Sequence, residues 1–344
     1  MGDSSGRKRR PTQADVARRA GVSQATVSQI LNNSATITVP VETRQRVLAA
    51  VEELGYVPDR AAQMLRTGKT QTIACVIPDI ANPVYPAFAR GIQDVADHYG
   101  YDLILYNTDG AAEKERKVLR SVQQGRADGV IVVLFQLTAR ALLPLMDVGI
   151  AVVRLESVQK HGGPYPLDNL YFDNAAAARA AVTYLIGRGH QRIGMIAGSA
   201  DTPPREGRVL GYRAALGEHG IAVDERLICT GDFREDGGYR AMGELLQLPE
   251  RPTAVFAAND LMALGAMVAL REAGLRVPQD VAVAGFDNIP AARMVTPALT
   301  TVAQFPYRLG RRAAELLFDR LGGMAPAGGR LEEMPFELIV RESA

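Results

Sequence analysis

The alternation of apolar, strand-like runs with helical stretches is the feature of this sequence that most limits its possible folds. From Thr72 onward the two kinds of segment alternate, which predicts parallel sheets with helices on both faces. The predicted strands are Ile73–Ile77, Leu103–Tyr106, Gly129–Leu134, Ile150–Leu155, Ile193–Ala197, Ala254–Ala257 and Val281–Gly285. These strands are too many for one mononucleotide-binding half, so the pattern favours two doubly wound subdomains that face each other.

The end of the chain is expected to return to both subdomains. Thr300–Gln304 and a helix at Tyr307–Leu321 are predicted to rejoin the first subdomain, and a strand at Phe336–Val340 to rejoin the second. Three crossovers of this kind would form a hinge. The predicted α/β core spans residues 71–344, with an N-subdomain of residues 71–168 and 300–322 and a C-subdomain of residues 169–299 and 323–344.

The first 69 residues differ from the rest of the chain in charge. They hold eleven Lys and Arg against six Asp and Glu, whereas the formal net charge of the whole chain is only +1. A basic head on a slightly acidic body indicates a polyanionic partner at one end, or simply a solvated charged surface. We expect a basic tail over residues 1–11, a helix-turn-helix DNA-binding domain over 12–57 and a hinge helix or linker over 58–70.

Three short helices are predicted in this head. Thr12 is an N-cap with Asp15 at the capping-box spacing, and Gly21 ends the first helix. Ser23 caps the second helix, which is polar outside, and Gly55 ends the third. The apolar stripe of the third helix is predicted to be Val47, Leu48, Val51 and Leu54. A helix, a tight glycine turn and a second helix are typical of a helix-turn-helix, although three small helices also occur in domains that bind no nucleic acid.

The run DVARRAGVSQATVSQILN at residues 15–32, followed by TRQRVLAAVEELGYVPDRAAQMLRTGKT at residues 43–70, resembles the head and hinge of the lac repressor family. The similarity continues to about Ile339. It implies a homodimeric transcriptional repressor that binds a pseudo-palindromic operator, with an all-α head on a core of the periplasmic-binding-protein type. The N-terminus lacks the apolar segment of a secretory signal, which favours the cytoplasm.

The resemblance places base-reading side chains at Gln24, Ala25 and Gln29. Glutamine can contact adenine through two hydrogen bonds, and alanine can contact a thymine methyl group. Gln29 stands where the family often has a guanine-reading arginine, so the half-site is expected to depart from the usual one. Leu65 matches the leucine that the family inserts into the minor groove, with a contact to the neighbouring domain as the alternative. The predicted DNA-binding set is Thr12, Ser23, Gln24, Ala25, Thr26, Ser28, Gln29, Asn32, Ala62 and Leu65.

Ligands of parallel sheets bind beyond the carboxyl ends of the strands, here between the two subdomains. The predicted effector contacts are Tyr85, Glu156, Arg205, Arg208, Phe233, Asn259 and Asp287. Their carboxylate, amide, guanidinium and aromatic groups suit a small polyhydroxylated ligand. Asp260 is interpreted as a helix N-cap, and Arg205 has a surface charge as its alternative role.

Two stretches, GDFREDGGYRAM and GFDNIPAARMVTPALTT, are similar to the purine repressor branch of the family. Pro86, however, stands where that branch stacks an aromatic ring, and Thr202 stands where it has an arginine. A sugar-like effector is therefore favoured over a purine, and Arg154 with Glu156 could address a sugar or a sugar acid.

Three further alternatives are a purine-type corepressor-dependent regulator, an exported sugar-binding protein and an enzyme. The four histidines show no metal-ligand spacing and no pairing with a nucleophile, and Ser199 lacks the flanking glycines of a nucleophile elbow. The sequence therefore predicts neither catalysis nor a cofactor.

Overall fold

The computed structural model describes residues 9–31, 39–57, 64, 67–156 and 165–344. The chain forms two compact units, residues 1–70 and residues 71–344. Within the described part of the chain, every helix is too short or too polar to cross a membrane.

Among the described residues of the first unit, three helices match those that the sequence predicts for the head. They are α1 (Gln13–Ala20), α2 (Gln24–Leu31) and α3 (Val41–Leu54). The Thr12 side chain accepts a hydrogen bond from the Asp15 backbone N–H, and the Asp15 carboxylate accepts one from the Thr12 backbone N–H, so the capping box is present. Gly21 ends α1 with a φ of 64°, a left-handed conformation that suits glycine. Ser23 Oγ accepts from the Thr26 backbone N–H at 3.1 Å.

The small core of this unit differs at one residue from the predicted stripe. Val16, Val27, Val47 and Ala50 are buried, whereas Leu48 is 48% exposed. The prediction for Leu48 is wrong because α3 turns Val47 and Ala50, three residues apart, toward the other helices.

The described residues of the second unit form two six-stranded sheets. The strands are β1 (Thr72–Ile77), β2 (Asp102–Asn107), β3 (Gly129–Val133), β4 (Ala151–Glu156), β5 (Leu167–Phe172), β6 (Ile193–Ala197), β7 (Ile228–Thr230), β8 (Ala254–Ala257), β9 (Ala282–Asp287), β10 (Thr300–Ala303), β11 (Leu331–Met334) and β12 (Glu337–Ile339). Their order is β11-β5-β4-β3-β1-β2 in one sheet and β12-β10-β9-β8-β6-β7 in the other. All neighbouring strands are parallel except β10 and β12. The predicted pair of doubly wound sheets is confirmed.

Helices cover both sheets. They are α4 (Val84–His98), α5 (Ala112–Ser121), α6 (Leu143–Asp147), α7 (Asn174–Gly187), α8 (Pro203–Glu218), α9 (Glu235–Leu246), α10 (Asp260–Glu272) and α11 (Pro306–Leu321). Three pairs pack closely: α4 with α11, α7 with α8, and α9 with α10. Each pair approaches at a glycine, because a Cβ on Gly310, Gly211 or Gly238 would overlap a backbone carbonyl oxygen of the partner helix.

The division of the chain between the sheets corrects the predicted subdomain boundaries. β10 pairs with β9, so Thr300–Gln304 does not rejoin the first sheet as predicted. β11 pairs with β5 in the first sheet, so residues 323–344 do not all belong to the second half. The predicted boundary after residue 168 falls inside β5. We call residues 71–172 with 306–334 the N-lobe, and residues 173–303 with 335–344 the C-lobe.

The chain passes between the lobes after β5, after β10 and after β11, which gives the three crossovers that the sequence predicts. β5 carries a fully buried Asp168, which explains why its pattern is hard to recognise. The Asp168 carboxylate accepts from Nη2 of Arg320 at 2.7 Å and from Nη2 of Arg330 at 2.9 Å. Burial raises the pKa of Asp168, but the hydrogen bonds from Arg330 and Arg320 outweigh burial and hold it below its usual value.

Candidate ligand cleft and nucleic-acid interface

A cavity of about 590 Å³ lies between the N-lobe and the C-lobe. The chain reaches it where strands end: Asp79 follows β1, Asp109 follows β2, Phe135 follows β3, and Asp232 follows β7. The cavity therefore occupies the edge at which parallel sheets place their ligands.

Five of the seven predicted effector residues line this cavity. They are Tyr85, Glu156, Arg208, Phe233 and Asp287. The other two, Arg205 and Asn259, do not. Arg205 Nη1 pairs with Glu206 at 2.8 Å. Asn259 is fully buried and supports the cavity from behind.

Asn259 is the N-cap of α10, so the interpretation of Asp260 as the cap is wrong. Asn259 Oδ1 accepts from the Met262 backbone N–H at 3.0 Å, and its Nδ2 donates to the Phe233 carbonyl at 2.9 Å. Asp260 is the first residue of the helix, and its carboxylate accepts from the Ile289 backbone N–H at 2.8 Å. One cap thus fixes both the start of α10 and the loop that presents Phe233.

Arg208 is held rigidly in the C-lobe wall of the cavity. Its Nε donates to Asn174 Oδ1 at 2.8 Å, and its Nη1 donates to the Ala258 carbonyl oxygen. Its guanidinium carbon lies 3.8 Å from the centre of the Phe286 ring. Nη2 lies 3.9 Å from Asp287 Oδ1, which is an ion pair longer than a normal hydrogen bond.

Asp287 ends β9 with a φ of 118°, a strained backbone conformation of the kind found at ligand sites. Its carboxylate accepts a hydrogen bond from Gln304 Nε2, at the crossover that follows β10. Burial raises the pKa of Asp287, while Arg208 and Gln304 oppose the shift. Burial, with the charge of Asp287, raises the pKa of Asp260 as well. A ligand hydroxyl or N–H directed at Asp287 would therefore meet a poorly solvated acceptor.

Among the described residues, two side-chain contacts join the lobes across the cleft. Arg234 Nη2 in the C-lobe pairs with Asp79 Oδ2 in the N-lobe at 2.8 Å. Gln136 Nε2 donates to the Asp201 carbonyl at 3.5 Å, which is a weak contact. Both contacts would be broken if the two lobes moved apart.

Sequence reasoning missed several residues of the N-lobe wall. The backbone N–H groups of Phe135 and Leu137 donate to the buried Glu115 carboxylate at 2.8 and 2.9 Å, which fixes the Phe135 loop. Phe135, like Asp79 after β1 and Asp109 after β2, follows a strand, which is the signal that could have identified these residues. Arg154, by contrast, does not line the cavity, because it is buried and pairs with Glu156 at 2.7 Å.

The outer face of α2 is polar and accessible. Gln24 and Ala25 are exposed, and Ser28 and Gln29 are half-buried. Thr12, Ser23 and Thr26 lie at helix starts, and Oγ1 of Thr26 is 2.9 Å from Oγ of Ser23. A short helix with this surface fits a major groove. The predicted residues Asn32, Ala62 and Leu65 lie outside the described residues.

A helical head whose second helix is polar, joined in one chain to a two-lobed core around a cavity, defines a ligand-responsive DNA-binding protein. Residues 12–59 match the bacterial regulatory proteins of the lacI family, and residues 182–344 match a periplasmic binding protein-like domain. The chain belongs to the lacI family and is a transcriptional regulator rather than an enzyme.

Curated relatives cover almost the whole chain. The HTH-type transcriptional repressor CytR of Escherichia coli strain K12 is 37% identical over 340 residues, which is 96% of each protein. The HTH-type transcriptional repressor PurR of Pectobacterium carotovorum subsp. carotovorum (strain PC1) is 39% identical over 335 residues, again 96% of each.

Solved structures show the same architecture. The lac repressor dimer bound to operator and the anti-inducer ONPF has a TM-score of 0.85 and 28% identity, covering 97% of this chain and 99% of that one. The transcriptional regulator CelR in complex with cellobiose has a TM-score of 0.72 and 33% identity, covering 97% of this chain and 100% of that one.

Proposed function

We propose that this protein is a cytoplasmic, homodimeric repressor whose affinity for a pseudo-palindromic operator is controlled by a sugar-like effector bound in the cleft. The main observation that supports this proposal is the cavity between the lobes, which is lined by carboxylates, guanidinium groups and aromatic rings. Its relatives are named as repressors, and a similar structure holds cellobiose.

The lining supports a polyhydroxylated effector more than a purine. Asp287 and Arg208 supply a charged acceptor and donor, which suit ligand hydroxyl groups. Phe135 and Phe233 supply ring faces for the apolar side of a sugar. Pro86 does not line the cavity, so this position offers no stacking surface for a base.

Coupling between cleft and operator follows from the crossovers. Arg208 bonds Asn174, the residue that follows the first crossover, and Asp287 bonds Gln304 at the second. A ligand that binds to Arg208 and Asp287 would either weaken or strengthen these hydrogen bonds, which hold the crossover segments in place. A ligand shifts the lobe equilibrium only by its different affinity for the two arrangements, so the direction of regulation depends on which arrangement it favours.

For the DNA contacts, we propose that Gln24, Ala25 and Gln29 read bases and that Ser23 and Thr26 contact phosphates. The accessible outer face of α2 supports this assignment. Leu65 is proposed as the minor-groove residue by resemblance alone. Leu65→Ala should weaken operator binding while leaving effector binding intact. An operator affinity within twofold of wild type would contradict the role of Leu65.

A thermal-shift screen of sugars, polyols, nucleosides and purine bases, followed by operator binding with each hit, tests the proposal. An effector at a hundred times its Kd should stabilise the protein by about 2.7 kcal/mol. Asp287→Ala should abolish the shift, whereas the matched control Asp280→Ala, at a residue outside the cavity that pairs with Arg276, should not. Hits confined to purines or nucleosides would refute the sugar assignment, and a bound ligand that leaves operator affinity unchanged would refute the allosteric control.

A further inference from the structure

Two buried carboxyl groups lie close together in the C-lobe. Asp260 is the first residue of α10, and Asp287 is the last residue of β9. Asp287 lines the cavity, whereas Asp260 is completely buried and does not line it. The proposed function uses Asp287 as a ligand contact and gives Asp260 no role.

Asp260 holds the turn that follows β9. Its Oδ2 accepts from the Ile289 backbone N–H at 2.8 Å, and its Oδ1 lies 2.5 Å from Thr301 Oγ1 in β10. The same Thr301 oxygen accepts from the Asn288 backbone N–H at 3.3 Å. A Cβ on Gly285 would overlap Asp260 Oδ1, so β9 has a glycine where this carboxyl group lies. The Asp260 carboxyl group therefore packs on the end of β9 and bonds to the turn after it.

This turn needs support because its backbone is strained. Asp287 has a φ of 118° and Asn288 a φ of 56°, which residues with a side chain rarely adopt. Such a conformation persists only where the surrounding structure holds it firmly. Arg341, which follows β12, contributes by donating from Nη2 to Asn288 Oδ1 at 2.7 Å. Asp260 supports the same turn from the interior of the lobe, so the direction in which Asp287 points depends on Asp260.

Among the described side chains, those that face the two carboxyl groups carry one positive charge. It belongs to Arg208 of α8, whose Nη2 lies 3.9 Å from Asp287 Oδ1. Tyr85 of α4 also faces Asp287; burial raises the pKa of Tyr85, as does the charge of Asp287, so its hydroxyl group stays neutral. Gln304, which donates to Asp287, is uncharged. Two ionised carboxylates would therefore leave one buried negative charge without a partner, which is costly.

The surroundings of the two carboxyl groups differ in a way that favours a proton on Asp260. Asp287 faces Arg208, which favours its charged form, whereas Asp260 forms no ion pair within the described residues. Burial, with the charge of Asp287, raises the pKa of Asp260, and its hydrogen bonds oppose the rise without cancelling it. The start of α10 offers about half a positive charge, which is less than the full negative charge of Asp287.

We propose that Asp260 is a positioning residue that acts as a neutral carboxylic acid, holding the turn after β9 and leaving Asp287 as the charged acceptor for the effector. A neutral acid keeps both contacts, because its carbonyl oxygen accepts from the Ile289 N–H and its hydroxyl group donates to Thr301 Oγ1. This inference rests on the proposed sugar effector and names a residue outside the ligand contacts on which binding of that effector depends.

The test compares two variants that make the same chemical change, Asp260→Asn and Asp287→Asn. Asparagine copies a neutral acid, since its side chain has one acceptor oxygen and one donor group. Kd is measured by calorimetry on the full-length protein with D-ribose, D-glucose, D-galactose, D-fructose and cellobiose, and the tightest binder of these is the probe. We expect Asp260→Asn to bind the probe within about threefold of wild type, and Asp287→Asn to bind it about tenfold more weakly or worse, because a charged acceptor is lost.

Loss of binding in Asp260→Asn would mean that the charged form of Asp260 is needed, and normal binding in Asp287→Asn would mean that Asp287 is not the charged acceptor. Either result would overturn the inference and leave the sugar effector standing.

Asp260→Ala separates positioning from charge, because it removes both contacts to the turn. It should weaken binding of the probe by about tenfold, and binding as tight as that of Asp260→Asn would overturn the positioning role. Thr301→Val and Thr301→Ser repeat the comparison at the partner side chain should Asp260→Ala fail to fold. Valine should weaken binding by about threefold or more, whereas serine keeps the hydroxyl group and should not; equal affinities would again overturn the positioning role.

The pH profile of binding supplies a readout that a merely structural role would not move. Ionisation of Asp260 places a second charge beside Asp287, and a bound sugar removes water from both. The affinity of the wild type should therefore fall as the pH rises above neutrality, by up to about tenfold per pH unit. Asp260→Asn has no group to ionise there, so its Kd should change by less than about twofold over the same range. Parallel profiles would overturn the neutral acid.

A measurement without ligand keeps this inference distinct from the proposed function. The difference infrared spectrum between the wild type and the double variant Asp260→Asn/Asp287→Asn at neutral pH should contain the C=O stretching band of a protonated carboxyl group. Absence of this band would overturn the inference, whatever the effector is. Failure of all five sugars to bind would instead count against the proposed sugar effector, and the band would still test the neutral acid.

Discussion

The contact between α9 and α10 gives the sharpest test of how the C-lobe is built. Gly238 in α9 is buried, and a Cβ there would overlap the carbonyl oxygen and Cα of Met262 in α10 and lie 2.6 Å from its carbonyl carbon. All three atoms belong to helical backbone, which cannot move aside as a flexible side chain can. Gly238→Ala should therefore force the two helices apart.

The expected magnitude is the balance of two opposing effects. Overpacking costs about 1–3 kcal/mol, and the upper end applies because only backbone is in the way. Alanine favours the helix over glycine by about 1 kcal/mol. We therefore expect Gly238→Ala to lower the free energy of unfolding by about 2 kcal/mol.

Gly243 is a matched control in the same helix, because a Cβ there meets nothing within 4 Å. Gly243→Ala should raise the free energy of unfolding by about 0.5–1 kcal/mol, so the two variants should differ by about 3 kcal/mol. Urea unfolding followed by far-ultraviolet circular dichroism suits a chain that has no tryptophan. A Gly238→Ala protein as stable as the Gly243→Ala protein would refute the close approach of the helices.

Four further predictions address the lobes, the charge network and the head. Asp79→Ala and Arg234→Ala should each weaken effector binding by up to about fivefold, the range of an exposed ion pair. The double variant should lose less affinity than the sum of the two single losses, and a fully additive loss would mean that the pair does not join the lobes. Burial raises the pKa of Asp287 above its unfolded value, so this carboxyl stabilises the fold at low pH and the contribution is lost as pH rises from about 4 toward neutrality. Asp287→Asn should therefore flatten the fall of core stability with pH, and equal slopes would contradict the assignment. Thr12→Ala should lower the stability of the head by about 1 kcal/mol in thermal unfolding, because the capping box is lost; an unchanged melting curve would show that the cap contributes little. Gln29→Ala should relax preference at one base pair per half-site by roughly 1–3 kcal/mol, and an unchanged selected sequence would remove Gln29 from the base-reading set.

Local patterns predicted most of the strands, and the exceptions have long-range causes. β5 was missed because Asp168 and Asn169 interrupt its apolar run. Asp168 is tolerated there because Arg320 and Arg330, distant in sequence, surround its carboxylate. Thr300–Gln304 was assigned to the wrong subdomain, since the place of β10 is decided by its pairing with β9 rather than by its own residues.

The residues of the cleft were likewise predicted only in part from the sequence. Strand ends locate the cavity, and Asp287 and Glu156 line it as the rule predicts. The same rule fails at Asn259, because a residue that comes soon after a strand can instead be the N-cap of the next helix. The backbone N–H of Met262 needs an acceptor, and Asn259 supplies it from a buried position. Whether such a residue caps a helix or contacts a ligand depends on the tertiary structure. The spacing of residues along the sequence does not decide it.

The three crossovers have a consequence for how the chain is made. The apolar face of the N-lobe that carries Phe88 and Ile92 is covered by Leu309 and Leu316 of α11. A chain synthesised from its N-terminus makes this face early and its cover only after the C-lobe strands have been built. Until α11 has left the ribosome, this apolar face of the N-lobe remains exposed to water. Exposed apolar surfaces of this kind are the ones that chaperones bind. Neither lobe can therefore complete its fold before the end of the chain is synthesised. A chain that stops after Ala303 should fold neither lobe.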